Sequence, residues 1–272
     1  MIFLAIVAGT LLAGVGSVWL AAGLANALLG RFTQHLLSLA AGALLATAFM
    51  RFLPEAFELA VQTDLEAKTL FAVLLVGLVF FFLLDKAELW HHGHEHHHDH
   101  ASSGAHDPHH PHHHHHHAPL AGQHSGGWAV LLGDSLHAFG DGILIAAAFM
   151  ADPRLGVASA LAVLTHEVPH HVGDLVVLRQ TLAQPQGAVL RLSLSGAVTT
   201  VGGVVGYALV GALEEYLPLF LVVASSSFIY VALADLIPQL QKRLSPSATL
   251  AQVLWLVSGM AVIGLLGIWL HH

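Results

Sequence analysis

The sequence predicts an all-α integral membrane protein with eight transmembrane helices, and three observations carry that expectation. Hydrophobic residues make up 56% of the 272 positions and charged residues 10%, against about 25% charged in a soluble domain. The chain divides into eight mostly apolar stretches of about the 20 residues that a helix needs to cross a bilayer core. It has 24 histidines and no cysteine, which excludes disulfides and thiolate metal sites and leaves an excess of imidazole. A formal net charge of −8 removes the electrostatic basis for gripping phosphates, so the expected partner is the lipid bilayer and not a nucleic acid.

Taken in order, the spans fall at about 2–29, 36–59, 69–89, 127–150, 154–178, 187–212, 217–239 and 249–270 by length and apolar content. The first lacks a basic leading region and is too long for a signal-peptide core, so it reads as retained. Short polar joints such as Asp64-Leu65-Glu66 and Asp152-Pro153-Arg154 separate most spans. Eight spans place both termini on one side. Arg31, Lys86, Arg179, Arg191, Lys242 and Arg243 lie at the joints after the odd-numbered spans, which makes that side cytoplasmic and both termini extracytoplasmic. The opposite joints are acidic (Glu55, Glu58, Asp64, Glu66, Asp152, Glu214 and Glu215). They read either as a mouth that concentrates cations or as ordinary loop solvation.

This organisation groups the chain as 3+2+3: spans 1–3 in residues 1–90, a loop over 91–126, spans 4 and 5 in 127–178, and spans 6–8 in 179–272. Span 2 ends in Phe52-Leu53-Pro54-Glu55 and span 7 in Leu236-Ile237-Pro238-Gln239. The two run in opposite directions, which suggests inverted repeats flanking spans 4 and 5.

Seventeen of the histidines lie between His91 and His124. They are interleaved with Glu95, Asp99 and Asp107, and Gly, Pro and Ser keep the tract from folding. It reads as a disordered, weakly selective metal-collecting loop on the cytoplasmic side, because neutral imidazole binds zinc, copper, nickel and iron. A purification tag would sit at a terminus. The His271-His272 pair reads as a solvated tail.

Spans 4 and 5 carry eight ionisable groups at membrane depth: Asp134, His137, Asp141, His166, Glu167, His170, His171 and Asp174. An unpaired charge there costs several kcal/mol and is a functional-site hypothesis by default. His137 and Asp141 share a helix face at i,i+4, as do His166 and His170, while Glu167 faces His170 and His171. The spans form an antiparallel hairpin, so Asp141 is expected near the level of His166 and His137 nearer His170. Two imidazoles from one helix, with an imidazole and a carboxylate from the other, suit a tetrahedral N/O site. Pro169 removes a backbone donor, and its kink is expected to open space between helices. An interhelical hydrogen-bond network would need one or two polar residues, not eight.

Three readings follow. His166-Glu167-Val168-Pro169-His170 matches the zinc-protease pattern H-E-x-x-H, but Pro169 distorts the helix that must present both histidines, and a distant Asp ligand is wanting. His137-x-x-x-Asp141, preceded by Asp134, is similar to the motif of cation diffusion facilitators, which are exporters with six spans and a soluble C-terminal domain. The third reading covers nearly the whole chain. His137-Ala138-Phe139-Gly140-Asp141-Gly142, the run from His166 to Asp174, Phe52-Leu53-Pro54-Glu55 and the Phe228 to Pro238 segment together resemble the ZIP (Zrt-, Irt-like protein) family, in its branch with a His-rich loop.

The resemblance implies a divalent-metal transporter, not an enzyme. It implies metal ligands at His137, Asp141, His166, Glu167 and His170, and uptake into the cytoplasm. It also implies that spans 1, 4, 5 and 6 move as a unit against spans 2, 3, 7 and 8. Ala138 stands where the family often has Asn, His171 where the branch often has Glu, and span 6 offers only Thr199 and Thr200 in place of a carboxylate. These departures favour one principal metal, with His171 and Asp174 as further metal-contacting residues on the exit side. Zinc is the expected cargo, and cadmium, iron, cobalt, nickel or manganese would bind the same donors. No catalytic cofactor is expected, and no phosphate loop is present to support ATP drive. The expected location is the cell (inner or plasma) membrane, and a homodimer stands as one option for the assembly.

Overall fold

A computed structural model describes residues 1–27, 33–93, 126–181, 187–241 and 245–269. The His-rich tract from residue 94 onward, the joints with Arg31, Lys242 and Arg243, and the His271-His272 tail lie outside the described residues.

Every regular element among the described residues is helical, and these elements join into eight long helices. Helix α1 runs through Ile2–Leu11, a π-helical turn at Leu12–Gly16, and Ser17–Ala27. Helix α2 comprises Thr33–Thr47, a π-turn at Ala48–Phe52, and Leu53–Gln62. Helices α3, α4 and α5 span Ala67–Gly93, Gly126–Ala151 and Pro153–Thr181. Helix α6 joins Ala188–Gly196 to Val198–Ala212. Helix α7 runs from Leu217–Tyr230 through a π-turn at Val231–Leu236 into Ile237–Leu240, and α8 spans Pro246–Trp269. These bounds follow the expected spans to within about one helical turn of 3.6 residues.

Local chemistry explains the joints. The Asp152 carboxylate accepts hydrogen bonds from the Arg154 and Leu155 amides at 2.7 and 3.3 Å. It caps α5, with Pro153 at the first helical position, where a missing N–H costs nothing. The α2–α3 joint turns at Asp64, whose φ is 54°, in the left-handed region that Asp tolerates better than most residues.

Among the described residues, six helices (α1, α2, α3, α6, α7 and α8) are long and apolar enough to cross a membrane. Helices α4 and α5 have 26 and 29 residues but carry the ionisable groups. Large apolar side chains face outward, among them Trp19, Val76, Phe80, Val204, Leu254 and Leu265, as lipid-facing surface requires. In the apolar windows of α2 and α7, 61% and 56% of residues are buried, against 11% in α3 and α8. The first pair is therefore central and the second peripheral.

Packing sorts the helices into two groups. Helices α1, α4, α5 and α6 pack mainly on one another, as do α2, α3, α7 and α8, and the groups meet chiefly where α2 lies on α5 and α7 on α4. The pairs correspond across the chain. Helix α2 packs on α8 as α7 packs on α3, and α2 meets α5 as α7 meets α4. Both α2 and α7 also carry a π-turn that ends two residues before a proline (Pro54, Pro238). Within the groups backbones approach closely at small residues. A Cβ on Gly142 of α4 would meet the Thr199 carbonyl of α6, and one on Gly202 would meet the Phe139 carbonyl. Gly42 and Gly259 play the same part between α2 and α8, against the carbonyls of Leu256 and Leu39.

Candidate metal centre

Asp134, His137 and Asp141 on α4 are spaced i, i+3 and i+7, so they share one face. On α5, His166 and His170 form one row, and Glu167, His171 and Asp174 the adjoining row. The α4–α5 hairpin sets these faces against each other. Helix α5 continues unbroken through Pro169.

Four side chains converge first. His166 Nε2 lies 3.3 Å from both Asp141 Oδ2 and Glu167 Oε1. His137 Nε2 lies 3.5 Å from Glu167 Oε1 and 3.7 Å from Asp141 Oδ2. One ligand atom from each residue falls within 4.8 Å of every other. Charge-assisted N–H···O hydrogen bonds are shorter, about 2.7–2.9 Å. A tetrahedral metal with bonds of about 2.0–2.2 Å holds its ligand atoms roughly 3.3–3.6 Å apart. The four N···O spacings therefore lie close to the edge of a coordination tetrahedron.

The state of one ring follows from its surroundings. His166 Nδ1 lies 3.1 Å from the Ala162 carbonyl oxygen, which can only accept, so Nδ1 carries the hydrogen and donates. In the neutral ring the Nε2 lone pair then faces the two carboxylates, the orientation a metal ligand needs. His166, Asp141 and Glu167 are buried, while the His137 side chain is 32% exposed and opens the cluster on one side. The His137 and His166 rings meet edge to face at 5.8 Å, and Phe228 of α7 packs 6.4 Å from the His166 ring.

The remaining residues are displaced along the helices, away from the α4–α5 joint. His170 Nε2 lies 3.5 Å from Asp174 Oδ2, and its side chain is 46% exposed. With Asp134 these two form a second possible ligand group. His170 thus stands apart from the four-residue cluster, one helical turn beyond His166, with its ring 6.2 Å from that of His137. His171 is fully buried, with Nε2 3.3 Å from Asp134 Oδ1 and 3.1 Å from Glu167 Oε2. Asp134 counts among the eight ionisable groups of spans 4 and 5 but not among the expected metal ligands. Its position three residues before His137 was the legible signal that it shares the face. Ser17, which reaches His171 from α1, had no such signal.

The chain was compared with known proteins. The family model described as "ZIP Zinc transporter" matches residues 86–267. The chain is 37% identical over 142 residues to Zinc transporter ZIP4 of Homo sapiens, covering 52% of this chain and 21% of that protein. It is 33% identical over 143 residues to Zinc transporter foi of Drosophila melanogaster, with 52% and 20% covered. It is 36% identical over 151 residues to Zinc transporter SLC39A7 of Rattus norvegicus, with 52% and 31% covered. The chain thus matches about a fifth to a third of the length of these curated relatives.

Proposed function

Because this chain belongs to the ZIP zinc transporter family, we propose that it carries a divalent transition metal, zinc foremost, across a membrane into the cytoplasm. The family is one of transporters and not of enzymes, so His166-Glu167-x-x-His170 serves as ligands here and not as a protease centre. The observation that carries the reading is the cluster of His137 with the buried Asp141, His166 and Glu167 between two helices of an otherwise apolar bundle. In this reading all eight helices span, and α4 and α5 tolerate their charges because they face each other and not lipid.

Metal enters from the end of the α4–α5 joint, where Glu55, Glu58 and Asp152 lie within electrostatic reach of one another. An acidic mouth raises the local cation concentration. At the cluster the ion exchanges water for imidazole and carboxylate. It then leaves past His170 and Asp174 toward the end where α4 begins and α5 stops. The loop over 91–126 joins α4 at that end and receives the ion or restrains transport. The group of α1, α4, α5 and α6 carries the site, and α2 and α7 form the surface it moves against. The correspondence of packing pairs supports inverted repeats.

The test is zinc flux into proteoliposomes that contain a zinc-sensitive dye. Saturable flux is expected in the wild type and in a 91–124 deletion, and loss of flux in Asp141→Ala. Absence of flux from folded wild-type protein in either orientation, with and without a pH gradient, overturns the reading.

A further inference from the structure

We infer that Arg51 of α2, in the cleft beside Gly264 of α8, holds the phosphate of a phospholipid headgroup from the leaflet on the side of the α4–α5 joint. Of the transport reading above, this requires only that α2 and α8 cross the membrane. Arg51 stands inside the apolar span of α2. At about 1.5 Å per residue, the Ile263 carbonyl that it reaches lies roughly 9 Å from the Trp269 end of α8. Helix α8 has 24 residues, so it exceeds a hydrocarbon core of about 30 Å by only a few ångströms. Ile263 therefore lies within the hydrocarbon, below the headgroup layer.

A guanidinium stays charged there, and a charge at that depth is costly without a partner. Arg51 Nη2 donates to the Ile263 carbonyl at 3.4 Å, a long contact against the usual distance of about 2.9–3.0 Å. No carboxylate pairs with Arg51 among the described residues. The fork has five N–H donors, and this one weak bond leaves most of them open. Glu55, four residues on, is the partner expected in a regular helix. The π-turn at Ala48–Phe52 widens the winding between them, and Glu55 lies within electrostatic reach of Glu58 and Asp152 instead. The matching position in the α7 π-turn is Asp235, which accepts a hydrogen bond from Gln239 of its own helix at 2.8 Å. The α7 charge is thus satisfied within its helix, and the α2 charge is not.

The cleft follows from glycine spacing. A side chain at Gly42 or Gly259 would strike backbone of the facing helix, whereas a Cβ on Gly264 would meet only Met50 Cε, at 3.9 Å. Helices α2 and α8 therefore part toward the Arg51 level. Phe49, Met50, Val262 and Leu265 around the cleft are exposed, as surface facing acyl chains is, and Arg51 is half-buried among them.

A phospholipid meets both demands. Its phosphodiester carries one negative charge and accepts two parallel bonds from the planar fork, while its acyl chains lie along the apolar rim. A free phosphate would have to enter hydrocarbon to reach the same place. Basic pockets between membrane helices hold headgroups in this way. A phosphate held here fastens the α2–α8 pair to one leaflet, in the helix group that does not carry the metal cluster.

Native mass spectrometry of the detergent-purified full chain, titrated with phosphatidylglycerol, tests the inference. The wild type is expected to hold one phosphatidylglycerol about tenfold more tightly than Arg51→Gln does, the size of a lost charge-assisted hydrogen bond. Diacylglycerol with the same chains should bind both alike. Gly264→Leu keeps the charge and fills the cleft, so it should weaken the same adduct; it carries the comparison if the melting midpoint shows that Arg51→Gln does not fold. Equal phosphatidylglycerol binding in wild type and variants overturns the inference, and an effect of Arg51→Gln without one of Gly264→Leu overturns the placement in the cleft. Arg51-dependent binding of inorganic phosphate at the same concentration overturns the lipid as occupant, as does an Arg51-dependent dimer in lipid-free protein. Zinc enters none of these measurements, so a chain that fails the flux test and still shows the Arg51-dependent adduct loses the transport reading alone.

Discussion

At the scale of single residues, ligand and support separate by what each side chain can reach. Asp141 approaches two imidazoles and Glu167 three, so removing either charge leaves the His137 and His166 pair facing one carboxylate. Removing one partner of a buried charged cluster costs about 3–5 kcal/mol. Asp141→Asn is therefore expected to weaken cadmium occupancy of the His137, Asp141, His166 and Glu167 cluster by about 100-fold or more, read from the anomalous diffraction of crystals titrated with cadmium. Unchanged occupancy would remove Asp141 from the ligand set. The donors also impose a sign on the pH response. Imidazole ligates only when neutral, so protons compete with metal and affinity falls as the pH drops below about 6.5, the unperturbed histidine value. Zinc binding measured from pH 7.5 to 5.5 should weaken monotonically, and a flat profile would contradict a histidine-dominated site.

At the scale of helices, glycine decides how closely α4 meets α6 and α2 meets α8. A side chain at Gly142 or Gly42 would run into backbone on the facing helix, which cannot turn aside as a rotamer can. Gly142→Val and Gly42→Val are each expected to cost about 3 kcal/mol, seen as a lower melting midpoint in detergent. Gly23 has open space around it, and Gly23→Ala should leave the midpoint unchanged. If all three variants melt alike, the close approaches do not hold the bundle together. The face pattern of α4 was legible from spacing alone, because i, i+3, i+7 is a property of one helix. The π-turn in α1 was not, because it depends on how α1 packs against α5 and α6.

At the scale of the whole molecule, the two four-helix groups meet at the surface on which the proposed movement would take place. Alanines are frequent in the core they share, including Ala40, Ala41 and Ala48 of α2, Ala160 and Ala162 of α5, Ala146 and Ala148 of α4, and Ala224 of α7. Small side chains interdigitate less deeply than leucines, which lowers the barrier to sliding. The chain has no cysteine, so paired cysteines can be introduced without competition. A disulfide joining α2 to α5 should stop zinc flux and reduction should restore it, while one joining α2 to α8 should leave flux intact. Equal flux in both oxidised proteins would count against relative movement of the two groups.

The sequence by itself determined the class of the protein, the places of its helices and the face that carries its ionisable groups. These depend on hydropathy over about 20 residues and on helical periodicity, both local properties. Tertiary structure decided which donors meet. Spacing put His170 with His166, yet the facing of α4 on α5 gathers His137, Asp141, His166 and Glu167 and leaves His170 beside Asp174. It also drew in Asp134 and Ser17 and turned the two oxygens of Glu167 to different partners. Helical spacing fixes a direction around one axis. Coordination needs atoms from several helices within a few ångströms, and that depends on how those helices rotate and slide against one another.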